Sequence, residues 1–430
     1  MKSVKVGLVG LGTVGRGVYD AIMNNGKLIA DRTGISLEIK GVTDKDEKAL
    51  EDINPGIQIA PYEDLIADKD IDIIVELIGG VEVAKSVILG ALKNGKHVVT
   101  ANKALLSEAW EEIFSAASRA GKSVNFEASV GGAIPIIRVL RESLVANNIS
   151  TIYGILNGTT NFILTEMTDK GCSFEEALKV AQDRGFAESD PELDISGTDS
   201  AHKLTILSLL GFGRDVSAGD VYTEGISKID PQDIRNAGEW GYSLKLLAIA
   251  KETKGGLELR VHPTLIPSAR LLADVKGSDN AVFVKGDLVE EALLFGKGAG
   301  RYPTASSVVS DIVDIAKGVA FSSGKNEVPY NLNYASGGGK ISQMDELLVS
   351  CYLRFSVIDK PGVLAGISSV LAENNISIAS VSQEERKEGE TVPVIIRTHK
   401  AKEGNMRKAI SVINKLDYVT SETVVIRIEE

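Results

Sequence analysis

Cysteine is nearly absent from this chain. Its 430 residues hold two, Cys172 and Cys351, far apart in the sequence. They support no disulfide framework, which points to a reducing cytoplasm. Histidine is almost as scarce, and His97, His202, His262 and His399 stand at no metal-ligand spacing. There is no long basic run and the net charge is −12, which argues against binding nucleic acid through its phosphates. No apolar run approaches the roughly 20 residues of a membrane helix, so no membrane partner is expected. The start, MKSVKVGLVGLG, is not laid out as a secretory signal, because glycines and then charged residues follow. What remains is the composition of a globular chain long enough for roughly two to four domains.

Residues 4–9, VKVGLV, read as a buried parallel strand. Gly10-Leu11-Gly12-Thr13-Val14-Gly15 follows, and then a helix through about Asn24. Strand, GxGxxG and helix together point to a dinucleotide. The glycines allow a tight turn and bring backbone N–H groups to a pyrophosphate, and the helix N-terminus adds its positive dipole end. Gly10, Gly12, Thr13, Val14 and Gly15 are the predicted cofactor contacts.

The second strand, LEIKGV, ends at Asp44, whose carboxylate would bond the ribose hydroxyls of NAD. Asp44 stands further from Gly15 than the usual spacing of about 20, an excess assigned to the insert NNGKLIADRTGIS. Lys45 offers an alternative, a partner for the 2′-phosphate of NADP. A third reading makes both ordinary turn residues. Further strands at 71–78, 97–100 and 123–129 alternate with helices around 82–94 and 107–120. This is the pattern of a doubly wound parallel sheet. Ligands bind beyond the carboxyl ends of such strands. Lys103 falls there, where a nicotinamide and its substrate would meet; a solvent-facing lysine is the other reading.

The texture then changes. ISTIYGIL reads as a strand, and FEEALKVAQDRG and EWGYSLKLLAIAKE read as helices, in a mixed α+β substrate and dimerisation domain. Leu156-Asn157-Gly158-Thr159-Thr160-Asn161 is a polar turn that serves equally as a capped helix start or a substrate loop. A second Gly-rich loop, Gly296–Gly300, precedes a helix through about Gly318. Ser336-Gly337-Gly338-Gly339-Lys340 reads as a boundary. Residues 350–430 follow the order βαββαβ, the ferredoxin-like arrangement, and look separable from the rest. The predicted domains are therefore 1–134 for the dinucleotide (completed by about 301–335), 135–300 for substrate and dimerisation, a linker at 336–349, and a last module at 350–430.

The most telling stretch is AQDRGFAESDPELDISGTDSAHK, residues 181–203. Its carboxylates are separated by Gly, Pro and Ser, so they do not build a core. They suit a loop that binds something cationic beside a lysine. Thr198 would cap the helix that follows, with Asp199 first and Lys203 one turn on, on the same face. An ordinary surface pair has that spacing too.

The segment closely resembles the diagnostic motif of homoserine dehydrogenases at Ala181, Gly185, Phe186, Ala187, Asp190, Pro191, Asp194, Gly197, Asp199 and Lys203. The resemblance implies that Lys203 donates the proton, that Glu188 and Asp199 hold the amino-acid substrate with Asp194 nearby, and that Lys103 in VTANKALL is the second active-site lysine. Gly158 and Thr159 match its substrate loop, and Gly300 a cofactor contact. Glu127, Val130, Gly132 and Ile134 match a stretch that holds a monovalent cation, sodium, in the family. DKPGVL and ENNIS resemble an ACT domain, which implies an amino-acid effector such as threonine at Asp359–Leu364 and near Asn375. The expected protein is an α/β enzyme with a Rossmann-type domain. It would use NADP or NAD to interconvert L-homoserine and L-aspartate 4-semialdehyde. A cytoplasmic homo-oligomer, dimer or tetramer, is expected, and a single activity, since no kinase-like domain precedes the nucleotide domain. The competing readings are a related amino-acid semialdehyde dehydrogenase and a catalytically silent amino-acid sensor.

Overall fold

The computed structural model describes residues 2–214, 216–321, 339–383 and 390–430. The predicted boundary at 336–338, the 322–335 end of the predicted nucleotide domain and the turn at 387–389 lie outside the described residues. The chain divides into two compact units. One is Met1–Ile152, His202–Ala218 and Asp279–Gly338; the other is Tyr153–Ala201, Gly219–Ser278 and Gly339–Glu430.

The first unit is built on a parallel sheet. Its elements run β1 (Lys2–Val9), α1 (Thr13–Thr33), β2 (Ile35–Thr43), β3 (Gln58–Ile59), α2 (Tyr62–Ala67), β4 (Ile73–Glu76), α3 (Glu82–Lys93), β5 (His97–Thr100), α4 (Lys103–Ala120) and β6 (Val124–Asn125). The order across the sheet is β3-β2-β1-β4-β5-β6, all parallel. It reverses between β1 and β4, which opens a crevice beyond their carboxyl ends. The long helix Arg301–Phe321 packs Ala305, Val308 and Ile312 into the same core as Val4, Val6 and Leu8 of β1 and Val18 of α1. Gly17 permits this close crossing, since a Cβ there would meet the Arg301 carbonyl oxygen at 2.6 Å.

Two elements here differ from expectation. The helix α1 does not stop at Asn24 but runs to Thr33. Ile22, Ile29 and Ala30 keep its apolar face on the core through the Asn-Asn-Gly signal, and Gly34 at φ 74° ends it. The long spacing from Gly15 to Asp44 is therefore extra helix, not an inserted loop. The strand expected over 123–129 is only Val124–Asn125, because Glu127–Ser129 turns into a short 3-10 helix.

In the second unit, Tyr242–Thr253 and Gly256–Pro267 form an antiparallel pair, in register from Thr253↔Gly256 to Tyr242↔Pro267. The first of these was expected to be a helix. YSLKLLAIAKE is nearly continuous in apolar residues, a run whose period cannot separate buried strand from buried helix. A partner strand joined by a tight turn decides it. The C-terminal module has the expected βαββαβ order: Leu348–Ile358, Val363–Glu373, Ile378–Gln383, Thr391–Thr398, Glu403–Ile413 and Val424–Ile428. It is not a separate sheet. Strand Val424–Ile428 lies between Leu348–Ile358 and Gly256–Pro267, pairing Arg427 with Thr264 and Ile428 with Leu265. Within the predicted linker, Lys340 and Ser342 bond the backbone of Leu257.

Candidate functional site

In the first unit the Gly loop has the shape an anion needs. Gly10 turns at φ 102°, and a Cβ there would strike the Leu77 carbonyl at 2.7 Å. A Cβ on Gly15 would sit 1.9 Å from the Gly10 oxygen, so only glycine lets α1 start this close to the loop. Gly12 caps α1 without a side-chain bond and faces open space, with exposed Thr13 next and Val14 half-buried. The first N–H groups of α1 are thus left for a ligand. Asp44 stands beside this loop. One carboxylate oxygen accepts from the Leu11 N–H and the other from the Asp46 N–H at 2.9 Å. Each retains lone pairs for a hydroxyl donor.

At the carboxyl ends of β4 and β5 lies a residue that the sequence did not single out. Glu76 is fully buried, and burial pushes its carboxyl up from the usual range. It accepts from Thr100 Oγ1 at 2.6 Å and from the Ile78 N–H at 2.9 Å. Thr100 Oγ1 in turn accepts from the Asn102 N–H, and the Asn102 side chain caps α4 at Leu105. Lys103 is the first residue of that helix, half-buried just beyond β5. The chain Glu76, Thr100 and Asn102 is what positions it. A Glu at the last position of an otherwise apolar strand was the available signal.

Two further Gly loops of this unit lie back to back. A Cβ on Gly132 would meet the Gly298 carbonyl at 2.6 Å, and Gly300, at φ 115°, caps helix Arg301–Phe321. The predicted cation stretch is heavily engaged here. Both carboxylate oxygens of Glu127 accept backbone N–H groups, from Ile137 at 2.8 Å and Arg138 at 2.9 Å. The Gly132 carbonyl accepts from Ser307 Oγ and the Ile134 carbonyl from the Ile136 N–H, while Val130 is buried. The Glu127 carboxylate therefore serves as a helix-start anchor. Asp311 accepts the Glu127 N–H at 2.7 Å, and burial pushes its carboxyl up to about 8. Among the described residues no group of three or more His, Cys, Asp or Glu is arranged to hold a metal ion.

In the second unit the acidic motif closes on the polar turn. Asn157 is 5% exposed and caps helix Gly158–Lys170 through its Oδ1 to the Thr160 N–H. Its two amide hydrogens go to two acids, Asp194 Oδ1 at 2.7 Å and Asp199 Oδ2 at 2.8 Å. Thr159 Oγ1 lies 2.9 Å from Asp194 Oδ2 and 2.7 Å from the Phe186 carbonyl, so its one proton is shared between them. Asp194, Asp199, Thr159 and the Gly158 helix start are thus brought together, with Asn157 as the hub. Glu188 is not part of this network. It is exposed on the loop, where its carbonyl accepts from Gln182.

The helix Thr198–Phe212 begins one residue earlier than expected. Gly197, at φ 87°, supplies the capping carbonyl to Ala201. Asp199, 7% exposed, and half-buried Lys203 keep their predicted one-turn spacing on this helix. In the C-terminal module, Asp359–Leu364 lines a pocket of about 280 Å³ closed by Gln383 and Val394.

The NAD-binding domain pattern of homoserine dehydrogenase matches residues 10–127, the homoserine dehydrogenase pattern matches 135–313, and the ACT domain pattern matches 352–417. A homoserine dehydrogenase of Neisseria gonorrhoeae is 46% identical over 100% of this chain and 99% of its own. The crystal structure of a homoserine dehydrogenase from Thiobacillus denitrificans, 44% identical, superposes with a TM-score of 0.94 over 100% of this chain and 99% of that one. A hyperthermophilic archaeal homoserine dehydrogenase in complex with NADPH, 27% identical, covers 73% of this chain and 97% of its own at a TM-score of 0.62. With its Gly loop, acidic motif and C-terminal module all in place, the chain belongs to the homoserine dehydrogenase family.

Proposed function

We propose that this chain performs the family's reaction, NAD(P)-dependent interconversion of L-homoserine and L-aspartate 4-semialdehyde on the route to threonine and methionine, with Lys203 transferring the proton. The cofactor, when bound, exchanges the hydride. The protein handles the charge left behind. Loss of hydride from the carbinol carbon requires loss of the hydroxyl proton, and the reverse reaction leaves an alkoxide that needs one. A lysine amine accepts that proton, and its ammonium returns it while stabilising the oxyanion. The observation that supports this most is the Asn157 hub. It ties Asp194 to Asp199, one helical turn before Lys203. An ammonium held by Asp199, with Glu188 closing from the loop, fixes the substrate relative to Lys203.

Lys103 is the second active-site cation, and Gly158 and Thr159 offer backbone N–H groups to the substrate. Gly10 to Gly15 seat the pyrophosphate with Gly300 close by, and Asp44 bonds a ribose hydroxyl. The archaeal relative's NADPH keeps either cofactor in play. A sodium ion would sit on the backbone carbonyls of Glu127, Val130, Gly132 and Ile134, each of which keeps a lone pair. Threonine is the proposed effector at Asp359–Leu364 and Asn375, in a cytoplasmic dimer or tetramer. The domain cuts we favour are 1–134 with about 301–335, 135–300, 336–349 and 350–430.

Homoserine-dependent reduction of NAD and NADP tests the central assignment. Lys203→Ala should lower kcat/KM by about 10²–10⁴-fold with cofactor affinity retained. Near-normal turnover in the folded variant would refute it.

A further inference from the structure

Between Asp194 and Asp199, the turn 195–197 lies directly against another stretch of backbone in the same unit. Ile226 donates its N–H to the Ile195 carbonyl at 3.0 Å. A Cβ on Gly225 would lie 2.9 Å from Ser196 Cα and overlap the Ile195 carbonyl oxygen. A Cβ on Gly197 would meet Thr223 Cγ2 at 3.1 Å. Residues 223–226 are therefore the wall on which the acid-bearing turn rests.

The backbone of that wall is held lightly. Its ladder with strand Gly256–Pro267 has two pairs, Arg260↔Tyr222 and Val261↔Thr223, and the Glu224 N–H adds one bond to the Val261 carbonyl at 2.8 Å. A firmer hold comes from strand Val424–Ile428. Arg427, 4% exposed, takes both oxygens of Glu224, with Nη1 to Oε2 at 2.7 Å and Nη2 to Oε1 at 3.1 Å. Its guanidinium also lies 5.2 Å from the centre of the Tyr222 ring. A planar fork of this kind fixes direction as well as distance. Arg427 is itself anchored by Glu403, 2% exposed, through Nε at 3.1 Å.

We propose that Arg427 is a positioning residue for the reaction: through Glu224 it holds 223–226 against 195–197, and so keeps Asp194 and Asp199 within reach of the Asn157 amide. The inference rests on the reading of these acids as the seat of the substrate. It makes substrate affinity depend on a residue of the C-terminal module that acts only through Glu224 and Gly225. A loosened wall lets the two acids shift apart, which raises the homoserine KM and spares the Gly10–Gly15 loop.

The test compares variants of the full chain in homoserine turnover, cofactor titration, thermal unfolding and hydrogen exchange read by mass spectrometry. Glu224→Ala leaves Arg427 its pair with Glu403, and Gly225→Ala forces 195–197 away from the wall. Each should raise the homoserine KM about fivefold or more, and speed exchange at 192–199 about tenfold or more. Their kcat and cofactor affinity should stay within about twofold of the parent. Leu371→Ala is the control for lost stability alone, since Leu371 is fully buried in the core of the C-terminal module and is no part of this contact. It should lower Tm yet leave KM and exchange at 192–199 within about twofold. The proposal is overturned if Glu224→Ala leaves either KM or exchange at 192–199 at the parent's value, or if Leu371→Ala raises KM as much as Glu224→Ala does. Should the parent turn over no homoserine, the catalytic reading fails, and exchange at 192–199 by itself decides the positioning.

Discussion

Replacing Asn157 with serine should spare the helix it caps and damage the acids it holds. Serine can still accept the Thr160 N–H, so the cap, worth about 1 kcal/mol, is kept. What is lost is the amide that donates to Asp194 and Asp199. Hydrogen bonds to charged groups contribute about 1.5–3 kcal/mol each. Asp199 is buried and loses close to the full amount, whereas half-buried Asp194 recovers part of it from water. The expected destabilisation is about 3 kcal/mol, read from urea unfolding by circular dichroism. Released from Asn157, the acids no longer hold one geometry, and the homoserine KM should rise about tenfold or more with cofactor affinity unchanged. Asn157→Asp sharpens the test. The new carboxylate would face two others, so its folded pKa lies above its unfolded value of about 3.9. Its contribution is full below that value and is lost as pH rises through the raised pKa. The deficit of Asn157→Asp should therefore grow as pH rises above about 4, while that of Asn157→Ser should vary less. If Asn157→Ser matched the parent in both stability and KM, the amide would not be the hub of the site.

Asp44→Ala should weaken NAD more than NADP in fluorescence titrations, and should weaken both somewhat, because Asp44 also holds the Leu11 N–H; equal losses would leave it as a loop anchor only. Arg427→Met leaves Glu403 only its longer pair with Arg407 and leaves Glu224 to Tyr222 and solvent, and should cost about 3 kcal/mol in urea unfolding, with a loss below about 1 showing that the pairs are not needed. A chain ended after residue 338 loses the strand that pairs with Thr264 and Leu265, and should aggregate on size exclusion rather than yield a folded core. Asp311→Asn keeps an acceptor for the Glu127 N–H. Since the Asp311 carboxyl is raised to about 8, its contribution is full below about pH 4 and lost as pH rises through 8, so the variant should gain on the parent across that window. A constant difference across that range would remove Asp311 as the cause.

Several elements were legible because their signals are local. Gly10, Gly12 and Gly15 each answer to a backbone position or close approach within one turn of chain. The spacing from Asp199 to Lys203 survives as written, because a helix converts sequence spacing directly into a shared face. The order βαββαβ of the last module follows from alternating periods of two and 3.6. Glu188 and Glu127 were marked by their place in a motif, and the structure adds their surroundings: Glu188 is exposed on its loop, and the Glu127 carboxylate accepts from the N–H groups of Ile137 and Arg138.

By itself, then, the sequence determined the parallel sheet, the Gly loops, the acidic motif with its lysine and the family. Each of these is written in residues close together along the chain. Only tertiary structure decided that Tyr242–Thr253 is a strand, that Asn157 joins Asp194 to Asp199, that Glu76 stands behind Thr100 and Asn102, and that the last strand lies beside Gly256–Pro267. In each case the deciding partner is reached through space. The free energy of a backbone ladder or a buried hydrogen bond then outweighs the small local propensities that a window of sequence can report.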